Sequence, residues 1–341
     1  MSSKKEKLTE AQSVAKMLNS SLKTKAFHGD PALLLSNVTR WLPTGATLVD
    51  EATTGGVPQG RVIELYGPPD VGKSTLGQAI IKRAIDLDWL PFYIDKENAL
   101  DRKRAVNIGL DMSKIVFMVP STIEEVFTLI CGSVEKVRVG KITKPIIFVW
   151  DTLARTMTDE QKQGKRKLGS LARAVRSSIA ELGDTLPEGH ASLLILNHRV
   201  AKNISSGRSS YGSPGGSALY HEASLRLRMA YTAEGKIKDG DRIVGNIVNL
   251  KVEESNLCAP YREAPVFIRF KEGLDDFGAN VFFMKKINAF EQNGTWFVWK
   301  HKDKEYKFQN DQQFLKQMGE DTKLMDAFRE EVRGRYRDMY A

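Results

Sequence analysis

The sequence predicts an α/β fold built on a mostly parallel sheet. Continuous apolar runs are the first observation: RVIELYG (61–67), LPFYID (90–95), PIIFVWD (145–151) and ASLLILNH (191–198). Runs without polar alternation indicate strands that are buried on both faces, as in parallel sheets. The second observation is that segments with helical spacing, such as STLGQAIIKRAIDL (74–87), lie between these runs.

Three parts are predicted along the chain: an N-terminal oligomerisation helix and linker (1–37), a core (38–280) and a small C-terminal α/β domain (281–341). Thr9 and Gln12 have capping-box spacing at the start of the N-terminal helix. The apolar residues of that helix recur at helical spacing: Leu8, Ala11, Ala15, Leu18 and Leu22.

Four further segments complete the predicted core. KIVFMVP (114–120) is another apolar run, and GKRKLGSLARAVRSSIAEL (164–182) carries leucine, valine and isoleucine on one helical face. After residue 230, IVGNIVNLKVEE and APVFIRF indicate hairpin strands that extend the sheet.

Composition places the chain among soluble globular proteins. It has 341 residues, and no apolar run approaches the roughly 18 residues that span a bilayer. Cys131 and Cys258 stand alone, which favours a reducing, cytoplasmic location. The net charge of +9 favours a polyanionic partner such as nucleic acid, although many basic proteins bind none.

A phosphate-binding loop occupies Gly67, Pro68, Pro69, Asp70, Val71, Gly72, Lys73, Ser74 and Thr75. The glycines let backbone N–H groups curl around phosphates, and Lys73 brings a positive charge to the β and γ oxygens. The Ser74 hydroxyl can ligate Mg²⁺, and the following helix points its positive end at the anion. The motif predicts a site for a nucleoside triphosphate.

Carboxylates at strand ends are the candidate partners of this loop. Asp151 ends the run PIIFVW, where it can hold Mg²⁺ through water, or act simply as a helix N-cap. Glu97 and Asp95 both follow the run LPFY, and either could activate the attacking water. His198 ends the run LLIL beside Asn197; it could sense the γ-phosphate or have only a structural role.

Two polar, basic loops leave the same edge of the predicted sheet. The segment 159–169 contains Lys165, Arg166 and Lys167, and the segment 199–218 contains Arg199, Lys202 and Arg208. Long loops inside compact domains are usually functional or disordered. Their charge suits contacts with a nucleic-acid backbone, and the alternative is a solvated loop face.

The motifs together resemble the bacterial RecA recombinases. The residues that carry the resemblance are WLPTGATLVDEATTGGVPQGRVIELYGPPDVGKST (41–75), YIDKENALD (93–101), IIFVWDTLA (146–154), LLILNH (193–198) and GGSALYHEASLRLR (215–228). The ending LNH, the segment VEESN and the lack of an acidic tail are closer to the UvsX-type recombinases of T4-like phages. The similarity covers roughly residues 38 to 285, so a RecA-like ATPase core is expected there.

This resemblance implies an ATP-dependent recombinase that forms helical filaments on single-stranded DNA and exchanges strands with a homologous duplex. ATP and Mg²⁺ are the implied cofactors. A single-strand-binding protein and a loader are the implied partners, with no membrane. The implied location is cytoplasmic and DNA-associated, in the host cytoplasm if the chain is phage-encoded. A hexameric helicase and a weakly hydrolysing recombination mediator are the alternatives.

Residue roles follow from the resemblance by position. Lys73, Ser74 and Asp151 are the phosphate and Mg²⁺ residues, Glu97 takes the position of the catalytic base, and His198 that of the γ-phosphate sensor. Asp101 and Arg104 fall near the adenine. Loops 159–168 and 199–214 become the DNA-binding loops, joined by Arg173, Arg176, Gly215, Gly216 and Ser217 at the DNA backbone.

Some positions depart from the bacterial pattern. Glu254 and Asn256 stand where that pattern has two lysines that reach across the subunit interface, and His221 stands where it has an interface phenylalanine. Arg104 replaces a tyrosine that stacks on adenine. The nearby cations that could substitute for the lysines are Lys251, Arg226 and Arg228.

Overall fold

A computed structural model describes residues 38–97, 100, 102–165, 169–202 and 210–341, and for 102, 200–202 and 210–212 it describes the backbone. The helix predicted within residues 1–37 lies outside the described residues. The chain separates into two compact units, Met1–Thr39 and Arg40–Ala341, and the second contains everything that follows.

The second unit is built on a large sheet. Its strands, in chain order, are β3 (Val62–Gly67), β4 (Leu90–Asp95), β5 (Val116–Met118), β6 (Ile146–Asp151), β7 (Ala191–His198), β10 (Leu225–Asp239), β11 (Arg242–Ser255), β12 (Glu263–Arg269) and β13 (Gly273–Leu274). Two short pairs lie outside it: β1 (Trp41–Leu42) with β2 (Val57–Pro58), and β8 (Val200–Lys202) with β9 (Ser210–Gly212).

Among the described residues, the order across this sheet is β13-β12-β11-β10-β3-β7-β6-β4-β5. The strands from β10 to β5 pair in parallel, and the strands from β10 to β13 pair antiparallel. The predicted α/β fold with a mostly parallel sheet is therefore confirmed. The carboxyl ends of β3, β4, β6 and β7 meet at one edge, which brings the motif residues together.

Helices cover both faces of the sheet. They are α1 (Thr47–Ala52), α2 (Lys73–Asp86), α3 (Arg102–Asn107), α4 (Ile123–Val139), α5 (Asp159–Lys162), α6 (Ser170–Ile179), α7 (Leu182–Glu188), α8 (Gly216–Glu222), α9 (Asp276–Lys286), α10 (Asp311–Met318) and α11 (Thr322–Met339). Among the described residues, no helix has both the length and the apolar character needed to cross a bilayer.

Alternate residues of the central strands enter two different cores. On β7, Leu194 and Leu196 pack into one core with α2, whereas Leu193 and Ile195 pack into the other with α4, α6 and α7. Both faces of the strand are therefore dry, which is the physical reason for its uninterrupted apolar sequence.

The apolar face predicted over 164–182 is divided between two helices. Gly169 has a φ of 76°, a left-handed conformation that starts α6 only at Ser170. The helix ends at Ile179, and a separate helix, α7, begins at Leu182. The strand predicted over 114–120 is shorter than expected, since only Val116–Met118 pairs with β4.

The C-terminal segment forms a three-stranded antiparallel sheet, β14 (Glu291–Asn293), β15 (Trp296–His301) and β16 (Lys304–Phe308), with α10 and α11. Its aromatic rings stack around Phe314, whose centroid lies 4.2 Å from that of Phe308. Helix α9 runs across the predicted boundary at residue 280, and Phe314 and Phe328 belong to the same apolar core as α2. The division into domains stays a prediction.

Candidate functional site

The loop between β3 and α2 requires glycine at its end. Gly72 has a φ of 102°, and a Cβ atom there would lie 2.0 Å from Ile268 Cδ1. A side chain would therefore be excluded both by the backbone conformation and by β12. Helix α2 begins at the next residue, so its free N–H groups face the loop and favour an anion.

Lys73 is buried at the root of this loop. Its Nζ donates to the carbonyl oxygens of Gly67, at 3.2 Å, and Pro68, at 2.7 Å. Burial lowers the pKa of the Lys73 ammonium, against the opposing effect of Glu97, Asp151 and Asp70. The ammonium is thus held close to the loop backbone and surrounded by carboxylates.

A cavity of about 830 Å³ opens at this edge of the sheet. It brings together most of the residues predicted for the nucleotide site: Pro69, Asp70, Val71, Gly72, Lys73, Ser74, Thr75, Glu97, Arg104, Asp151 and His198. Its wall also contains residues that sequence reasoning missed: Gln78, Arg155, Asn246, Ile268 and Phe270. Gln78 lies one turn beyond Ser74, so helical spacing could have found it. Asn246 on β11, Ile268 on β12 and Phe270 directly after β12 gave no local signal.

The Asp151 carboxylate is buried beside the loop. It accepts a hydrogen bond from the Tyr93 hydroxyl at 2.9 Å, and the Ser74 hydroxyl is also in hydrogen-bonding contact. Burial raises the pKa of Asp151, although both hydrogen bonds act in the opposite direction. The cap of the following turn is Thr152, so Asp151 does not have the N-cap role that the sequence left open.

The donors around Ser74 suit Mg²⁺. One hydroxyl and one carboxylate lie together, and Mg²⁺ on nucleotides keeps water and phosphate ligands with few protein ligands. Among the described residues, no group of three or more His, Cys, Asp or Glu side chains could hold a metal ion. A cation at this place would therefore depend on the nucleotide for most of its ligands.

Glu97 and Asp95 have different surroundings. The Asp95 carboxylate accepts from the backbone N–H groups of Glu97 and Leu100, both at 3.2 Å, and so binds its own loop. Glu97 lines the cavity instead, where its Oε1 lies 2.8 Å from His198 Nε2 and 3.4 Å from Arg155 Nε. The geometry favours Glu97 as the carboxylate that could reach a water in the cavity.

A buried polar network lies behind His198. Asn197 Nδ2 donates to Glu64 Oε1 at 2.9 Å and to the Pro214 carbonyl at 2.8 Å. Arg226 Nε pairs with the other oxygen of Glu64 at 2.8 Å, and its Nη2 donates to Ser213 Oγ at 3.3 Å. These contacts attach the far end of the segment 199–214 to the sheet.

The near end of the same segment contacts the phosphate loop. The backbone N–H of Arg199 donates to the carbonyl of Gly67 at 3.0 Å, directly after β7. Both ends of the second basic loop are therefore bonded to residues next to the cavity, while Arg208 lies outside the described residues and Lys202 is described by its backbone.

The first basic loop is partly helical. Thr158 and Gln161 form a capping box that starts α5, so the segment 159–169 begins with one helical turn instead of the predicted open loop. Lys165 follows, exposed, with its Nζ 3.3 Å from Gln163 Oε1. Arg166 and Lys167, like Asp101 of the predicted adenine site, lie outside the described residues.

Helix α6 and the start of α8 form one surface. Arg173 and Arg176 are exposed one turn apart on α6. A Cβ atom on Gly216 would lie 2.7 Å from Ala172 Cβ, so glycine lets the two helices approach closely. Ser217 is exposed next to Gly216, and Gly215, with a φ of 109°, is the N-cap that precedes α8. The structure thus brings together two arginines and the predicted Gly-Gly-Ser segment.

Cations near Glu254 are engaged within the chain. Arg226 is buried against Glu64 and lies 3.4 Å from Glu254, Arg228 pairs with Glu253, and Lys251 Nζ lies 3.4 Å from Glu263. Arg104, near the predicted adenine site, donates a short hydrogen bond to the Thr75 hydroxyl. None of the three substitutes considered for the missing lysines is therefore without an acidic partner of its own.

Comparisons with known proteins give a consistent result. Residues 30–275 match the family described as RecA N-terminal domain. Protein RecA of Wigglesworthia glossinidia brevipalpis is 31% identical over 261 residues, 75% of this chain and 76% of that protein. Protein RecA of Campylobacter lari is 30% identical over 282 residues, 81% of this chain and 79% of that protein. Protein RecA of a Nitratiruptor species is 30% identical over 265 residues, 76% of this chain and 74% of that protein.

Proposed function

The chain belongs to the RecA family, and we propose that it is a DNA-dependent ATPase that forms helical filaments on single-stranded DNA and exchanges strands with a homologous duplex. One observation carries this proposal. A single cavity holds the phosphate loop and Glu97, and both ends of a basic loop are bonded to the strands that line that cavity. ATP and DNA would thus act on neighbouring parts of the same sheet edge.

The cavity supplies groups for phosphoryl transfer to water. Lys73 and the N–H groups at the start of α2 bind the phosphates, and Glu97 accepts a proton from the attacking water. Ser74 and, through water, Asp151 would hold Mg²⁺, which supplies positive charge to the phosphate oxygens. Tyr93 orients the Asp151 carboxylate through its 2.9 Å hydrogen bond.

The polar network supports coupling between the two ligands. His198 contacts Glu97, and its neighbour Asn197 bonds the carbonyl of Pro214 at the end of the second loop. A movement of β7 that follows the γ-phosphate would therefore act on both ends of that loop. DNA contacts are proposed for the exposed face of Arg173, Arg176 and Ser217, with the two basic loops.

Self-assembly is supported by an apolar edge. Of the strands that the structure describes, β5 is the last at this end of the sheet, and Phe117 is 43% exposed on it. Val119 follows at 80% exposure, and Val139, at the end of α4, at 75%. Unpaired edge strands with exposed apolar side chains favour pairing with another chain. We propose this edge, with residues 1–37, as part of the filament contact.

Finer assignments rest on the sequence. The ending LNH of β7 and the segment VEESN support a phage-type recombinase of the UvsX kind. A single-strand-binding protein and a loader are the proposed partners, and the proposed location is on DNA in the cytoplasm. Residues 281–341 are proposed to form the small C-terminal domain.

ATP hydrolysis with and without single-stranded DNA tests the proposal, together with electron microscopy on a non-hydrolysable ATP analogue. We expect DNA-stimulated hydrolysis, helical filaments and strand exchange. Glu97→Gln should lower the rate by about 10²- to 10⁴-fold and leave nucleotide binding intact. Closed hexamers that unwind duplex DNA would indicate a helicase, and function unaffected by Glu97→Gln would indicate a mediator.

A further inference from the structure

The cations along the nucleotide cavity have different partners. Lys73 donates to the backbone of the phosphate loop, and Arg104 donates to the Thr75 hydroxyl. Arg155 is the cation beside Glu97, with Nε 3.4 Å from Oε1. Among the described residues, Glu97 is the only carboxylate with which Arg155 forms an ion pair. Arg155 therefore stands next to the group that would hold the attacking water.

A short turn fixes where the Arg155 side chain starts. Strand β6 ends at Asp151, and a 3₁₀ turn, Leu153–Arg155, follows at once. Leu153 is fully buried, and Thr156 donates from its backbone to Leu153 and from its hydroxyl to Thr152. The backbone is anchored, whereas the Arg155 side chain is 64% exposed. The guanidinium can consequently change partner without any movement of the strand.

Two side chains contact the same oxygen of the Glu97 carboxylate. Among the described residues, Arg155 and His198 both lie against Oε1. Within the part of the chain that the structure describes, Oε2 has no such contact and is the oxygen that we assign to accept a proton. A guanidinium at this place can pair with Glu97 and can offer its remaining N–H groups to a phosphate, because five donors spread over a planar fork.

Resting on the proposed function, we infer that Arg155 is a catalytic cation that acts within its own subunit. When ATP is bound, the Arg155 guanidinium leaves Glu97 Oε1 and contacts the γ-phosphate oxygens instead. The oxygen of water then bonds to the γ-phosphorus while the bond from that phosphorus to the β,γ-bridging oxygen breaks. The water proton passes to Glu97, and ADP and phosphate leave. Arg155 neutralises the charge that accumulates on the γ oxygens.

The test compares Arg155→Ala and Arg155→Lys with the wild-type chain on single-stranded DNA. We expect Arg155→Ala to lower kcat at least about 100-fold, with KM for ATP changed less than about threefold, because the interaction forms in the transition state. Arg155→Lys should retain part of the rate, since it keeps the charge and loses the fork. Arg335→Ala, an exposed arginine on α11, is the control and should keep wild-type kcat.

Binding gives a readout that does not depend on turnover. ADP with aluminium fluoride and Mg²⁺ mimics the transferring phosphoryl group, so Arg155→Ala should weaken its binding at least about 30-fold. Affinity for a non-hydrolysable ATP analogue should stay within about threefold of the wild type. Equal weakening of both ligands would overturn the inference, because Arg155 would then act in ground-state binding.

Mixed assemblies show whether Arg155 acts on the ATP of its own subunit or on that of a neighbouring subunit. Arg155→Ala chains mixed with Glu97→Gln chains should remain inactive, since no single cavity then has both groups. Recovered hydrolysis in the mixture would overturn action within one subunit. If the wild-type chain is active and Arg155→Ala has the same activity, this inference alone is overturned. If the wild-type chain is inactive, the proposed function is overturned, and this inference with it.

Discussion

The Arg226–Glu64 pair lies at the centre of the buried polar network. The side chains are 7% and 0% exposed, and Nε lies 2.8 Å from Oε2. The other oxygen of Glu64 accepts from Asn197. Each charge is thus compensated by a partner of good geometry, which is the condition under which buried ions are tolerated.

We predict that Arg226→Met lowers the free energy of unfolding by about 3–5 kcal/mol, because it leaves Glu64 charged and buried without its cation. Urea denaturation measures this difference. The pair of Glu51 with Arg337, whose side chain is 59% exposed, supplies the control, since Arg337→Ala should cost less than about 1 kcal/mol. Arg333 still lies 3.5 Å from Glu51 in that variant. If both variants lost the same free energy of unfolding, burial of the Arg226–Glu64 pair would not determine the cost of removing its cation.

Asp50 is a second carboxyl group outside the cavity, and it is partly buried. It lies on α1, where Oδ1 accepts from the backbone N–H and the hydroxyl of Thr44, both at 2.7 Å. Burial raises the pKa of Asp50 to about 7, although the Thr44 hydrogen bonds act to lower it. In the unfolded chain an Asp loses its proton near pH 4.

Between these pH values the folded chain binds more protons than the unfolded one, so this group makes the free energy of unfolding fall as pH rises from about 4 to about 7. Asp50→Asn removes that dependence. We predict that the stability of Asp50→Asn relative to wild type increases between pH 5 and pH 8, as measured by urea denaturation at each pH. A constant difference would contradict the raised pKa.

At the scale of elements, α6 and α8 build the proposed DNA surface. Their close packing depends on Gly216, because a Cβ atom there would lie 2.7 Å from Ala172 Cβ. Arg173 and Arg176 project from the exposed side of α6, and Arg173 Nη2 lies 3.1 Å from Glu160. That exposed ion pair is weak enough for phosphate to compete with the carboxylate.

Replacing Arg173 and Arg176 together with Ala should weaken binding of single-stranded DNA and reduce the slope of log K against log salt by up to about one unit per lost phosphate contact. Fluorescence anisotropy at several salt concentrations measures that slope. Arg83→Ala, on α2 with Asp86 as its partner, is the control and should leave the slope unchanged. An unchanged slope in the double variant would remove α6 from the DNA surface.

At the scale of the whole molecule, the large sheet ends at strand β5 on one side. Within the described ranges, β5 and β13 are the two terminal strands, and each has a paired neighbour on one side only. Phe117 and Val119 are exposed at the β5 edge. Among the described residues, this edge presents both unpaired backbone groups and apolar surface, a combination that favours the binding of another subunit.

We predict that Val119→Lys and Phe117→Lys prevent large assemblies while the single chain stays folded and binds nucleotide. Light scattering after gel filtration, with and without a non-hydrolysable ATP analogue, measures the assembly. Leu315→Lys, at a residue 42% exposed on α10, should assemble like the wild type. Assemblies of wild-type size in the β5 variants would place the contact elsewhere.

Local patterns were sufficient for much of the fold. Buried strands are short and uniformly apolar, so β4 and β7 were predicted with their observed bounds. The phosphate loop was also predictable from the sequence, because its glycines and lysine act through neighbouring backbone. Helix bounds were less certain: the left-handed Gly169 delays α6, and periodicity does not reveal such an interruption.

By itself, the sequence determined the fold class, the phosphate loop and the carboxylates at the strand ends, since each depends on residues adjacent along the chain. Tertiary structure alone placed Glu97 on the cavity wall, bonded Asp95 to its own loop, joined His198 to Glu97 across 101 positions, and paired Arg226 with Glu64 across 162. It also brought Arg155 to the cavity. Such contacts depend on which strands become neighbours in the sheet, and that order is set by packing of the whole core, which no local pattern contains.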